Sequence, residues 1–488
     1  MHISGFELKR LIVSEEIIMH TDTIAAIATA LSDSGIGIIR ISGSDAIEVG
    51  NRVFRTPGGK QILKDVPSHT IHYGYVVNNG LENSSDSELY EILDEVMVSV
   101  MRAPRSFTAE DTVEINCHGG VLVMQKILDL VCLKGARMAE PGEFTKRAFL
   151  NGRIDLSRAE AVMDVIHSQS ELALKTSINH LQGQLSELIK ILRDRLIYEI
   201  AYIESALDDP EHFDLENYPE ELKEKILKIS EKIDGLIATS INGILIKEGI
   251  STVILGKPNA GKSSLMNMLL KEDRAIVTDI AGTTRDVLQE SIKLHGISLN
   301  IIDTAGIRDT EDIVEQIGVE KAKKYAEDAD LILCVVDTSV ELDDSDREIF
   351  ELIKDKKSII LLNKTDLKQV ITEEDIKDFF GKNTSFVYTS TKDGSGMEEL
   401  ENTVKDMFFA GMIKSNNELV ITNLRHKKAL ENANEALGLV LNSIEAGMPE
   451  DFYYIDLMSA YTSLGLIIGE EVEDDLMEEI FTKFCMGK

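Results

Sequence analysis

The chain has 488 residues, 43% of them hydrophobic, which is more than one core holds and enough for roughly three domains at about 150 residues each. Its net charge is −34, aromatics make up 5%, and tryptophan is absent. That balance excludes nucleic-acid binding through an overall basic field and argues against an aromatic stacking platform.

Residues 1–20 read as an N-terminal extension with Met19 as an alternative initiator. They carry Glu7, Glu15 and Glu16 and no small-residue cleavage site, so they resemble neither a secretory signal nor a transit peptide. No apolar run reaches the about 18 residues needed to span a bilayer. Cys117, Cys132, Cys334 and Cys485 stand singly, without a CxxC pair, so no disulfide framework is expected and a reducing compartment fits. A cytoplasmic protein without a membrane partner is expected.

Residues 21–150 read as a mixed α/β domain. β-prone runs fall at 24–29, 36–42, 71–77, 96–101 and 112–117, a helix at 121–133 and a polar loop at 78–87. From 155 to 207 apolar residues recur at helical spacing, which predicts long paired helices. Asp208-Asp209-Pro210 ends that run, and a second helical stretch covers 220–240. Residues 251–411 alternate strands (252–255, 299–303, 331–336, 358–363, 385–389) with helices, the signature of a parallel doubly wound sheet. Helical periodicity returns at 422–446 and 456–484. The organisation is therefore multidomain: an α-helical bundle domain (151–250 and 412–488) bracketing an inserted P-loop α/β (Ras-like) domain at 251–411.

The strand at 252–255 runs into Gly256-Lys257-Pro258-Asn259-Ala260-Gly261-Lys262-Ser263-Ser264 and then a helix. This is G-x-x-x-x-G-K-S in strand–loop–helix context, so backbone amides and a helix N-terminus cradle phosphates. Lys262 reaches the outer phosphates and the Ser263 hydroxyl ligates Mg²⁺. Asp303-Thr304-Ala305-Gly306 follows the next strand, with Asp303 placed to hold Mg²⁺ through water and the Gly306 amide to sense the third phosphate. Asn363-Lys364-Thr365-Asp366 ends a further strand. A carboxylate at Asp366 accepts two hydrogen bonds that guanine supplies and adenine does not. Ser390, Thr391 and Lys392 complete the base pocket. Four such segments in order point to GTP rather than ATP.

In Ras-type switches a Gln directly after the DxxG segment orients the attacking water. Here that place is Ile307, so another group must do it. The segment Val277-Thr278-Asp279-Ile280-Ala281-Gly282-Thr283-Thr284-Arg285-Asp286 supplies a switch loop, with Thr284 as second Mg²⁺ ligand. It also offers oxygens for a monovalent cation, to which Asn259 could add one, although Asn259 reads equally as a turn former. Such a cation does the electrostatic work of an arginine finger. Glu311, Asp312 and Glu315 are candidates to orient water or members of a solvated switch face.

The chain resembles the MnmE (TrmE) family of tRNA-modification GTPases from about Thr21 onward. The resemblance is carried by Gly35-Ile36-Gly37-Ile38-Ile39-Arg40-Ile41-Ser42-Gly43, Ser106-Phe107-Thr108-Ala109-Glu110-Asp111 and His118-Gly119-Gly120. It continues through Pro141-Gly142-Glu143-Phe144-Thr145-Lys146-Arg147-Ala148-Phe149-Leu150-Asn151-Gly152-Arg153, the switch loop 277–286 and the terminal Phe484-Cys485-Met486-Gly487-Lys488, where Met486 replaces the family's usual Ile. The resemblance implies that the protein acts with a flavin-dependent partner, MnmG, as a heterotetramer built on a homodimer. Together they would install an aminomethyl or carboxymethylaminomethyl group at carbon 5 of the tRNA wobble uridine, with a tetrahydrofolate derivative donating the one-carbon unit. It implies that residues 21–150 bind folate and dimerise, with Arg40, Glu114, Arg153 and Lys488 at folate-contacting positions. Arginine suits a folate's carboxylates because it binds them as a fork. It further implies K⁺ at Asn259, Thr278, the Ile280 carbonyl and Thr283, water orientation by Glu315, and a part in modification for Cys485. A ribosome-assembly or signalling switch GTPase is the alternative; it predicts an adjoining basic RNA-binding domain.

Overall fold

The structure is a computed structural model that describes residues 22–78, 91–209, 217–272, 290–294, 297–302, 325–381, 384–409 and 419–470, together with 477, 480–482, 484 and 487. The chain divides into two compact units, Met1–Met163 with Ile468–Lys488, and Asp164–Ile467.

The first unit is built on a seven-stranded sheet. Its elements are β1 (Ile24–Ile27), β2 (Ser34–Ser42), α1 (Ala46–Val53), β3 (Phe54–Arg55), β4 (Thr70–Asn78), β5 (Glu91–Met101), β6 (Thr112–Gly119), α2 (Val121–Leu133), β7 (Arg137–Met138) and α3 (Glu143–Leu150). The order is β3-β4-β5-β6-β2-β1-β7, antiparallel except for the β1–β7 pair. Alternation decides which face is buried. Val96, Val98 and Val100 of β5 and Val113 and Ile115 of β6 are buried with Val49, Val53, Ile127 and Val131 of the two helices. The residues between them face outward: Tyr73 pairs across the strands with Met97, and Ile71, Tyr73 and Met97 are exposed.

Helix α4 (Leu156–His167) follows α3. Ala148, Ile154, Leu156 and Ala159 form a second core cluster with Phe481 and Phe484. These C-terminal residues, read from sequence with the helical domain, thus pack within the first unit. Gly142 makes the approach possible, since a side-chain carbon there would meet the Phe481 carbonyl oxygen at 2.4 Å.

The second unit contains the helices α5 (Glu171–Leu181), α6 (Gln184–Asp208) and α7 (Tyr218–Glu248). The periodic run expected as long paired helices is therefore cut into α4, α5 and α6. Ser170 caps α5 by accepting from the Ala173 amide, and Gly183 at φ +89 turns the chain before α6. Next come β8 (Ile250–Leu255), α8 (Lys262–Glu272), β9 (Glu290–Leu294), β10 (Ile297–Ile301), β11 (Leu331–Asp337), α9 (Asp344–Ile353), β12 (Ser358–Asn363), α10 (Glu373–Ile376), β13 (Thr384–Tyr388), α11 (Met397–Phe409), α12 (Leu424–Glu445) and α13 (Glu450–Ile468). Helix α12 packs along α7. The helix expected over 456–484 ends at Ile468, because Gly469 takes a left-handed φ of +85 that closes it. Among the described residues no helix is long and apolar enough to cross a membrane.

The six-stranded sheet of this unit runs β13-β12-β11-β8-β10-β9, parallel apart from β9. Strands β11 and β12 are buried at every position, as expected for central parallel strands covered on both faces. The antiparallel edge strand β9 had no place in the sequence reading; its five residues are too short a pattern to stand out. Ala173 of α5 and Ile246 of α7 share one apolar cluster with Leu265, Leu299, Leu333 and Leu361, so helices from outside the α/β segment help cover its sheet.

Candidate nucleotide-binding site

The chain passes from β8 to β10 on one side of β8 and then crosses to β11 on the other. That reversal opens a crevice at the carboxyl ends of β8 and β11, where α/β sheets bind ligands. The loop 256–261 leaves β8 at this point and enters α8 at Lys262.

The shape of the loop follows from its residue types. Gly256 and Gly261 sit at φ +145 and +110, and Asn259 at φ +61. A side-chain carbon on Gly256 would lie 2.4 Å from the Val335 carbonyl oxygen, and one on Gly261 would lie 2.2 Å from Asn363 Nδ2. Both positions therefore need glycine for space as well as for backbone angle. Lys262 Nζ donates to the carbonyl oxygens of Gly256 and Lys257 at 2.7 and 2.8 Å. Its burial holds the ammonium below the usual lysine pKa. Ala260 is buried, whereas Asn259, Ser263 and Ser264 are exposed.

The residues expected to form the base pocket lie at the ends of β12 and β13. Asn363 is fully buried. Its Nδ2 donates to the Ala260 carbonyl at 2.8 Å, and its Oδ1 accepts from the Thr391 amide at 3.3 Å. Asp366 Oδ1 accepts from Ser390 Oγ at 3.2 Å, and Lys392 Nζ lies 3.5 Å from Asp366 Oδ2. Lys364 adopts φ +67 and donates from Nζ to Asp337 Oδ2 at 2.5 Å. Burial pushes the Asp337 carboxyl up, but Lys364 and Ser339 outweigh it and hold it below the usual carboxylate range. The structure thus brings Asn259, Ala260, Gly261, Lys262, Ser263, Ser264, Asn363, Lys364, Asp366, Ser390, Thr391 and Lys392 to one end of one sheet.

Thr278, Asp279, Ile280, Ala281, Gly282, Thr283, Thr284, Asp303, Thr304, Ala305, Gly306 and Glu315 lie outside the described residues, as do Cys485 and Lys488. Sequence reasoning missed Asp337 at the end of β11, which anchors Lys364, and the aspartates of α9 that hold Lys257. Asp337 directly follows a continuous apolar strand, the same signal that marked Asn363.

In the first unit, Arg40 and Glu114 are register partners on β2 and β6 and form an ion pair of 2.8 Å. Arg40 also donates to the Gly487 carbonyl at 3.1 Å and lies over the Phe144 ring. Arg153 donates to the Phe107 carbonyl at 2.9 Å and lies over that ring. Phe107 packs against Phe144 and its neighbours, so both arginines border one aromatic cluster. Two donors of the Arg40 fork already have partners, which leaves it a partial rather than a whole fork for a carboxylate ligand.

A family model described as MnmE helical domain matches residues 156–485, and one described as GTP-binding protein TrmE N-terminus matches residues 23–153. A protein named tRNA modification GTPase MnmE from Lachnoclostridium phytofermentans is 55% identical over 470 residues, 96% of this chain and 100% of its own length. Proteins of the same name from Geobacillus thermodenitrificans and Staphylococcus haemolyticus are 47% and 46% identical, each over 96% of this chain and 99% and 100% of their own lengths. Among solved structures, the G domain of the T. maritima FeoB iron transporter is 26% identical, covering 32% of this chain and 98% of its own, at a TM-score of 0.24. With the nucleotide-site geometry and near full-length relatives in agreement, this chain belongs to the family of tRNA modification GTPases named MnmE.

Proposed function

We propose that this chain hydrolyses GTP as its part in modifying carbon 5 of the tRNA wobble uridine, together with the flavoprotein MnmG. The observation that carries the GTPase half is the Asn363 side chain, which ties the loop before Lys262 to the loop after β13. Phosphate grip and base selection thereby become one rigid site. The names of the near full-length relatives support the tRNA half.

In this reading the GTPase segment is 251–411, the helical domain 151–250 with 412–488, and the N-terminal α/β domain 21–150. Ser263 and Thr284 hold Mg²⁺, which neutralises phosphate charge when bound. The exposed Ser263 at the start of α8 fits that role. Asn259, Thr278, the Ile280 carbonyl and Thr283 hold K⁺, which supplies the positive charge that an arginine finger brings in other GTPases. The left-handed, solvent-exposed Asn259 fits a ligand within the loop. Glu315 orients the attacking water. Arg40, Glu114, Arg153 and Lys488 bind a tetrahydrofolate derivative that provides the one-carbon unit; the Arg40–Glu114 pair and the adjoining Phe107 and Phe144 rings support a site for a charged aromatic ligand there. Cys485 serves the modification step. The uncovered apolar face carrying Ile71, Tyr73 and Met97 supports a homodimer.

The test is nucleoside analysis of tRNA from cells lacking this gene. The expected result is loss of the carbon-5 aminomethyl or carboxymethylaminomethyl group at the wobble position, restored by the intact gene. An unchanged nucleoside profile removes the tRNA assignment and leaves only the GTPase.

A further inference from the structure

Lys257 is the second residue of the phosphate loop, at a place the G-x-x-x-x-G-K-S pattern leaves open. Its side chain leaves the loop for the start of α9, where Nζ donates to Asp346 Oδ2 at 2.7 Å and Asp343 Oδ2 at 3.1 Å. The Lys257 side chain is 13% exposed and that of Asp346 3%. The pair is half-buried and so better shielded from water than the fully exposed ones that contribute little. The aspartates are themselves fixed in a reciprocal cap: the Asp346 amide donates to Asp343 Oδ1, and the Asp343 amide to Asp346 Oδ2, each at 3.1 Å.

The main chain of the same residue faces the chemistry. The Lys257 carbonyl accepts from Lys262 Nζ at 2.8 Å and from the Ala260 amide at 3.3 Å. Other parts of the loop have their own restraints. Gly256 is pressed against Val335, and Ala260 and Gly261 against Asn363. Between those restraints, Pro258 and Asn259 are exposed. The Lys257 ion pair ties this middle stretch to the start of α9.

We propose that Lys257 is a positioning residue for guanine-nucleotide binding: its half-buried pair with Asp346 holds the phosphate loop in the shape in which its amides and Lys262 meet the phosphates. A loop that must be ordered by its ligand binds it more weakly, because ordering is then drawn from the binding energy. The effect belongs to affinity rather than to the chemical step.

The experiment uses the full chain and the variants Lys257→Met, Asp346→Asn, the double variant and Lys257→Arg. It measures the Kd of a fluorescent GDP analogue and steady-state GTP hydrolysis. Either single loss should weaken binding about tenfold or more, with the double variant no weaker than the worse single one, as a coupled pair requires. Saturating kcat should stay within about twofold, so that KM carries the change. Lys257→Arg should recover part of the affinity. Lys247→Met provides a control, since it breaks the Lys247–Asp164 pair of 2.8 Å in the same unit; it should lower Tm without moving Kd. A Lys257→Met protein with lowered Tm but unchanged Kd would make the pair merely structural and overturn the proposal. So would weakened binding in Lys257→Met with none in Asp346→Asn, since Lys257 would then act on the nucleotide directly.

Discussion

Asn363 Nδ2 donates to the Ala260 carbonyl oxygen at 2.8 Å across 103 positions of sequence. The Oδ1 of the same side chain accepts from the Thr391 amide at 3.3 Å and from Thr389 Oγ1 at 3.4 Å. One buried amide group therefore links the loop proposed to grip phosphate and the loop proposed to frame the base. Neither loop has regular structure of its own to make that link, so the side chain does it.

Asn363→Ala removes partners from the Ala260 carbonyl and the Thr391 amide. A buried polar group left unsatisfied costs about 1–3 kcal/mol, so guanine-nucleotide affinity should fall by about 10–100-fold. Calorimetric titration with GDP checks this. An affinity equal to that of the unaltered protein would mean the two loops hold their spacing by other contacts.

Asp366 is held on both oxygens, by Ser390 and Lys392. An ionised carboxylate offers acceptors only, whereas an amide offers one acceptor and donors. Asp366→Asn should therefore lose preference for guanosine triphosphate by about a hundredfold and gain xanthosine triphosphate, which carries a carbonyl where guanine carries an amino group. Hydrolysis rates with the two nucleotides decide it; retained guanosine preference would remove Asp366 from the base pocket.

Acid sensitivity should appear in the first unit. Glu143 accepts from Arg137 Nη2 at 2.7 Å, from Arg147 Nη2 at 2.9 Å and from the Glu140 amide at 2.8 Å. Burial pushes its pKa up, but these bonds prevail and hold it below its ordinary value of 4.5. A carboxyl with a depressed folded-state pKa contributes stability that is fully present above its unfolded pKa and is lost as pH falls through the folded one. Hydrogen exchange of the β6 amides should therefore accelerate as pH drops below about 4.5 after correction for intrinsic rates. Glu143→Gln should flatten that dependence while lowering stability at neutral pH by about 3–5 kcal/mol, the cost of breaking a buried charged network. Asp22, also held below its ordinary value within this network, leaves a residual slope. An unchanged pH dependence in Glu143→Gln would mean the linkage lies elsewhere.

Much of the nucleotide site was legible because its chemistry is local. The spacing of Gly256, Gly261, Lys262 and Ser263 encodes a turn, and the Asn363–Asp366 run directly follows a buried strand; neither needs knowledge of distant contacts. Helix α2 was legible from its apolar spacing, and strands β2, β4 and β6 from their β-prone runs. Less legible were elements whose limits depend on single residues. Ser170 and Gly183 divide what reads as continuous helical periodicity, and Gly469 stops a helix that periodicity carries on to residue 484. β9 is stabilised by pairing with β10 rather than by its own pattern.

Residue order alone marked the phosphate loop and the Asn363–Asp366 run as a candidate base-recognition segment, because both rest on short-range spacing, and the chain's motifs carried its resemblance to the family. Only the folded molecule decided that Lys257 turns away to a buried aspartate, that Asp337 holds Lys364, and that Arg40 is shared between Glu114 and the Gly487 carbonyl. Those are pairings between charges and amides far apart in the chain. Their partners are chosen by which strands and helices come to lie side by side, and no local pattern records that choice.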